Sequence, residues 1–322
     1  VKPNRILAAS VLSCALALGA AACGSSDDSS SSSNADASSA GKLSGNIKLD
    51  GSSTVFPFAQ AAAEQFKGQN PGADVSVGES GTGGGFEKFC AGETDISNAS
   101  RPIKAEDEAP ICKRNGVDYS EIQVANDGIA IVTNKDLKIA CLTTDQLKKL
   151  WNKSSKVASY KELDPQLPDQ KVALFGPGTD SGTFDFFTEE INAEKGDTRK
   201  DYSPSEDDNV TVQGVSGDKG GLGYFGFSYY EDNMDKLNLV KVDGGDGCVA
   251  PSKETIQDGT YKPLARPLFM YPAAKSIARP EVKGFLDYIL ANSDAVADAA
   301  KIVPLTAEQL TKAKADLAKA ET

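Results

Sequence analysis

Asn46-Ile47-Lys48-Leu49-Asp50-Gly51-Ser52-Ser53-Thr54-Val55-Phe56-Pro57-Phe58 is the unit from which the fold is read. A short strand over 46–49 ends in Gly-Ser-Ser-Thr and runs into a segment with Val55, Phe58, Ala62 and Phe66 at helical spacing. Pro57 suits a first helical turn, where its missing N–H breaks no bond. The same arrangement follows with the strand Ala73-Asp74-Val75-Ser76-Val77, the loop Ser80-Gly81-Thr82-Gly83-Gly84-Gly85, and a helix after Gly85 carrying Phe86, Phe89 and Cys90. It appears a third time as Val172-Ala173-Leu174-Phe175, the loop Asp180-Ser181-Gly182-Thr183, and a helix with Phe184, Phe187 and Ile191. Alternating strands and helices predict an α/β fold with a parallel sheet and crossovers, and place these loops at the carboxyl ends of strands, where open sheets bind ligands.

Any one of these loops is explained as an ordinary N-cap, which needs a single side-chain oxygen. Three of them, two richer in hydroxyls and glycines than a cap requires, point to helix N-termini that hold an oxyanion with hydroxyls and bare amides.

Further strands are expected at Gln123-Val124-Ala125 and Ile129-Ala130-Ile131-Val132, split by Asn126-Asp127-Gly128, which reads as a turn. A capped helix follows over Thr143–Trp151, then a charged irregular loop over 197–209. A glycine-dense turn leads into a strand near Leu222–Phe225, another strand covers Leu237–Val242, and helices over Pro280–Asn292 and from Thr306 end the chain.

The 322 residues start with Lys2 and Arg5, an apolar run from Ile6 to Ala22, and Cys23-Gly24-Ser25-Ser26. This predicts a secretory signal over 1–22, with Leu18-Gly19-Ala20-Ala21-Ala22-Cys23 similar to a bacterial lipobox and Cys23 as the lipidated residue. Residues 23–45 are mostly Ser, Asp, Ala, Asn and Gly, a tether too polar to build a core. The ~280 residues beyond it suffice for two domains. A net charge of −12 argues against nucleic acid or an anionic membrane face as partner.

Apart from Cys14 and Cys23, four cysteines remain, with three pairings open in an oxidising compartment. Cys90–Cys112 closes a short loop and Cys141–Cys248 brackets one contiguous domain, so this pairing is preferred. With no histidine and no CxxC spacing, neither a metal site nor a cofactor is expected. The lack of histidine and of Gly-x-Ser-x-Gly rules out an ordinary Ser-His-Asp hydrolase, and no Gly-Lys-Ser or Gly-Lys-Thr supports an NTPase.

Gly51-Ser52-Ser53-Thr54-Val55-Phe56-Pro57, Ser80-Gly81-Thr82-Gly83-Gly84-Gly85-Phe86, Ser100-Arg101-Pro102, Asp180-Ser181-Gly182-Thr183 and Leu222-Gly223-Tyr224 occur in this order along nearly the whole mature chain. In this ordered set the chain resembles the phosphate-binding lipoproteins of the phosphate-specific ABC transporter, in the Ser-Arg-Pro branch of that part of the periplasmic-binding-protein superfamily. The resemblance implies a type II two-lobed α/β fold with two crossovers and phosphate in the interlobe cleft. Lobe I would comprise 46–127 plus 250–322, and lobe II 128–249.

Carried over by motif, the resemblance implies contacts to phosphate from the hydroxyls of Ser53 and Thr54, the amide of Val55, Ser80, Thr82 or Gly83, and Ser181, Gly182 and Thr183. Arg101 would give a forked, charged contact. Better-known enterobacterial relatives carry an aspartate near that position and an arginine before the Ser-Gly-Thr loop, where this chain has Pro177-Gly178-Thr179. The positive charge is therefore expected to have moved between lobes. Asp180 would accept the proton that phosphate retains and sulfate lacks, or else only cap its helix; Asp127 is a second such acceptor, or a partner orienting Arg101.

The resemblance also implies a monomeric binding protein, not an enzyme, held at the outer face of the bacterial membrane by lipid alone. It would deliver inorganic phosphate to a membrane-embedded ABC permease. The alternatives are another tetrahedral oxyanion as ligand, or a sensing or adhesive lipoprotein without transport; a phosphatase is disfavoured.

Overall fold

The computed structural model describes residues 42–179, 181–205 and 207–320. The expected signal over 1–22, lipidation of Cys23, the tether up to Gly41, and Asp180 lie outside the described residues.

In chain order the first strands are β1 (Ser44–Gly51), β2 (Gly72–Val77), β3 (Ile96–Ala99) and β4 (Ile122–Asn134). Then come β5 (Cys141–Thr143), β6 (Ala173–Pro177), β7 (Ser203–Ser205), β8 (Gly221–Gly226), β9 (Leu237–Asp243), β10 (Cys248–Val249) and β11 (Ala265–Pro272). The helices that position the site are α1 (Phe56–Gln69), α2 (Gly81–Cys90), α3 (Ala109–Arg114), α4 (Thr144–Trp151) and α5 (Gly182–Asn192). Ser44 and Gly45 pair with Gly72 and Ala73, so the tether ends before Ser44 rather than at residue 45.

The main path of the sheet runs β2-β1-β3-β11-β4-β8-β6-β7, with β9 alongside β4. It is mixed rather than parallel. β1 pairs in parallel with β2 and β3, and β6 with β7 and β8, but β11 and β4 run antiparallel to their neighbours. Parallel pairs such as β1–β2 follow the local strand-helix alternation; the antiparallel pairs that β11 and β4 make join segments far apart in the chain.

Two large cores sit along this sheet, with a smaller cluster of Phe86, Phe89, Cys90, Cys112 and Tyr271 beside α2. One gathers Ile47, Phe58, Phe66, Val124, Leu268 and Phe285. The other gathers Ile131, Trp151, Phe187, Tyr224 and Val240. Ile256, Tyr261 and Leu264, expected in lobe I, pack into this second core.

β4 and β11 serve both cores. Asn126-Asp127-Gly128 is no turn: it continues β4, with Asn126 opposite Pro267 and Asp127 opposite Arg266 on β11. The Asn126 side chain also donates to Pro304 and Gln309, so tertiary partners hold extended a tripeptide that favours turns in isolation.

The loop expected over 197–209 holds β7 and the start of the helix Asp208–Gly217. α2 begins at Gly81, not after Gly85, so the glycines lie inside its first turns. A Cβ on Gly85 would fall 2.4 Å from the Gly51 Cα, and only its absence lets α2 lie so close on β1. Both preferred disulfides are made: Cys90–Cys112 ties α2 to α3, and Cys141–Cys248 joins β5 to β10 across β9.

Candidate functional site

A cavity of about 830 Å³ opens where β4 and β11 pass between the cores. Its wall includes Ser53 and Thr54, the α2 start from Ser80 to Gly84, Arg101, and from the other core Gly182, Phe186 and Glu189. The two sides meet at Gly182: a Cβ there would lie 2.4 Å from the Thr54 amide nitrogen and 2.7 Å from the Ser53 carbonyl carbon. Glycine at this position lets the α5 N-terminus rest against the Ser53–Thr54 backbone.

The centre of the site is Arg266, which the sequence reading missed. Its side chain is 13% exposed and faces Asp127, 10% exposed, with Nε 3.4 Å from the Asp127 carboxylate. Nη2 donates to the Thr54 hydroxyl, and the guanidinium carbon lies 3.5 Å from the Phe186 ring centroid. Burial pushes the Asp127 carboxyl up and the Arg266 guanidinium down, each against the pull of the other. An arginine does not deprotonate in proteins, so a positive charge stands at the cavity wall. The signal was an arginine inside the apolar run Leu264–Tyr271, in an Arg-Pro pair matching Arg101-Pro102.

Arg101 lines the cavity but its fork is occupied. Nη1 and Nη2 donate to the two Glu108 carboxylate oxygens at 2.8 and 2.7 Å, and Nη1 also reaches the Pro102 carbonyl. Asp127 orients Arg266, not Arg101. Burial raises the Glu108 carboxyl, but hydrogen bonds from Arg101 and the Lys104 amide outweigh it and hold the group below its ordinary value. A depressed carboxyl stabilises the fold above its unfolded-state pKa and loses that contribution as pH falls through its folded-state pKa. Arg101→Ala is therefore expected to lower the unfolding free energy near neutral pH by about 1–2 kcal/mol. The deficit should shrink in acid as Glu108 protonates, which denaturant unfolding at neutral and acid pH will check.

Several expected donors point elsewhere. The Val55 amide bonds to the Ser52 carbonyl at 3.2 Å, closing the turn before α1. Ser80 donates its hydroxyl to Asp50, which Lys88 also holds at 2.6 Å. Thr82 Oγ1 accepts the Ser100 amide at 3.2 Å and lies 3.1 Å from the Ser100 hydroxyl. Ser181 caps α5 by accepting the Thr183 amide at 3.2 Å, and neither Ser181 nor Thr183 lines the cavity.

Ser53, Thr54 and Gly182 remain in the lining, together with the α2 start at Gly81, Thr82 and Gly83. The Thr54 hydroxyl accepts from Arg266 and keeps its own proton to donate. Arg101, Lys195, Lys262 and Arg266 stand against Asp185, Glu189 and Glu190 in the lining, a positive balance in an acidic chain. With its donors and helix N-termini, this cavity suits a small anion.

A family model described as a PBP superfamily domain matches residues 35–293. Protein SphX of Synechococcus elongatus is 44% identical over 83% of this chain and 80% of its own length. Phosphate-binding protein PstS of Staphylococcus saprophyticus is 42% identical over 88% of this chain and 87% of its own. The chain belongs to the PBP superfamily, within the family of PstS and SphX. This is a family of substrate-binding proteins, and solved PBP-superfamily structures share its fold. A structure from Planctomyces limnophilus, described as a possible phosphate binding protein, is 44% identical with a TM-score of 0.82, covering 87% of this chain and 100% of that one. A Clostridium perfringens structure described under phosphate ABC transport, with bound phosphate, is 26% identical with a TM-score of 0.58, covering 81% and 100%. Among the described residues no helix is long and apolar enough to cross a membrane, and no His, Cys, Asp and Glu group could hold a metal ion.

Proposed function

We propose that this protein captures inorganic phosphate between two lobes and delivers it to a membrane-embedded ABC permease, without catalysis. The observation that carries this reading is the convergence of buried Arg266, the Ser53–Thr54 loop and the α2 N-terminus on one cavity. The relatives named for phosphate supply the identity of the anion. The lobes are taken as 44–127 with 265–320, and 128–264, following the membership of the two cores. In this reading Arg266 supplies the full charge, the Thr54 hydroxyl and the free amides supply neutral donors, and Arg101 braces the loop through Glu108. Ser80, Thr82, Ser181 and Thr183 then shape the loops around the ligand.

With Asp127 committed to Arg266, Asp180 is the proposed acceptor of the proton that phosphate keeps. Facing an ionised carboxylate, sulfate would set two acceptors against each other. Cys23 is the proposed lipid attachment, which would hold a monomer at the outer face of the cell membrane near its permease.

Calorimetry on the mature chain tests the ligand. One phosphate bound per chain, with little heat from sulfate, is expected. The reading fails if phosphate does not bind, or if the purified chain releases phosphate from esters.

A further inference from the structure

A second concavity, of about 570 Å³, shares no lining residue with the interlobe cleft. It lies between the loop after α4, the segment at Lys171 and Val172, and the segment Thr198–Asp201. Its rim is cationic: Lys153, Lys156, Lys171, Arg199 and Lys200 line it, against the single carboxylate of Asp201. Such a concentration runs against a chain of net charge −12. Like charges around a concave wall repel one another and focus a positive potential into the space they enclose.

Arg199 makes the cavity rigid. Its side chain is 8% exposed, and its fork holds Asp201 at 2.6 and 2.8 Å. Nη1 donates to the Leu150 and Val157 carbonyls, both at 3.1 Å, pinning the loop after α4 to the Thr198–Asp201 segment. Lys153 is paired with Glu194 and Asp197. Lys156, Lys171 and Lys200 are exposed and make no salt bridge among the described residues, although Lys156 lies close enough to Asp201 to lower its pKa. Their ammonium groups are available to an anion.

We propose that this cavity binds a linear oligophosphate, a soluble chain carrying several adjacent phosphate groups. Lysines are point-charge donors suited to phosphate oxygens, and several around one concavity match a ligand of repeated charge better than a single ion. The lining has no aromatic side chain on which nucleobases could stack, which disfavours single-stranded nucleic acid. The cations surround a hollow rather than a flat face, which disfavours a bilayer. The proposal rests on the phosphate reading only for the ligand's chemical class.

The test titrates inorganic polyphosphate of medium chain length into the mature protein with the cleft saturated by orthophosphate. Three proteins are compared: the native chain, Lys156→Glu/Lys171→Glu/Lys200→Glu, and a control with equal charge change on the other lobe, Lys113→Glu/Arg114→Glu/Lys314→Glu. All six positions are exposed, and melting temperatures will verify folding. Native affinity should fall steeply with salt, the first variant should lose about tenfold or more, and the control should change less than about threefold. Orthophosphate affinity should be unchanged in the first variant, which separates this site from the cleft. No polyphosphate binding by the native chain, or equal losses in both variants, overturns the proposal. Binding to phosphatidylglycerol vesicles that polyphosphate does not displace also overturns it. Loss of orthophosphate binding alone would instead count against the cleft assignment.

Discussion

Arg266→Gln is expected to weaken phosphate binding about 100-fold, close to 2.7 kcal/mol, by removing a largely buried positive charge at the cleft wall. Glutamine places a neutral amide near the Nε position beside Asp127 but is too short to replace Nη2 at the Thr54 hydroxyl, so the wall loses both the cation and that contact. A structural explanation must be separated from a binding one, because the change also strands Asp127, and an orphaned buried charge typically costs about 3–5 kcal/mol of stability. The paired variant Asp127→Asn/Arg266→Gln removes both charges and should recover most of the melting temperature while leaving phosphate affinity low. If the paired variant binds phosphate as tightly as the native chain, Arg266 serves only the fold and the proposed ligand set is wrong. Calorimetry and thermal unfolding of the same samples give both readings.

Gly182→Ala should have the next largest effect, through closure rather than chemistry. The added methyl would lie 2.4 Å from the Thr54 amide nitrogen, far inside van der Waals contact, with backbone rather than a flexible side chain opposing it. Overpacking of this kind costs about 1–3 kcal/mol, so affinity should fall roughly 5- to 150-fold. In the proposed reading the lobes part when phosphate leaves, which relieves this clash, and alanine is a better helix former than glycine at the start of α5, so the melting temperature without phosphate should hold or rise slightly. Native affinity in Gly182→Ala, measured by calorimetry, would mean that this contact between the lobes plays no part in holding the ligand.

Much of the fold was legible because it is local. Phe58, Ala62 and Phe66 announce α1 by their spacing, and Phe184, Phe187 and Ile191 announce α5, since a helix repeats its buried face every few residues. Misreadings occurred where partners distant in sequence decide. Asn126-Asp127-Gly128 has turn composition but is straightened by β11, and the glycines after Ser80 enter α2 because close packing on β1 admits nothing larger at Gly85. Ile256, Tyr261 and Leu264 look like ordinary core residues of either lobe, and only their neighbours assign them.

The sequence alone determined the alternation of strand, loop and helix, the favoured disulfide pairs, and three hydroxyl-rich loops in an order shared with one family. Side-chain period, turn chemistry and cysteine count are properties of short segments. Tertiary structure decided which of those hydroxyls are spent on their own loops, as with Ser80 on Asp50 and Thr82 on Ser100. It also decided which arginine stands free of a carboxylate fork. Arg266 reaches Thr54 across 212 positions of chain only because the antiparallel register of β11 on β4 sets it opposite Asp127. No local pattern encodes that register; it follows from burying two cores along one shared sheet.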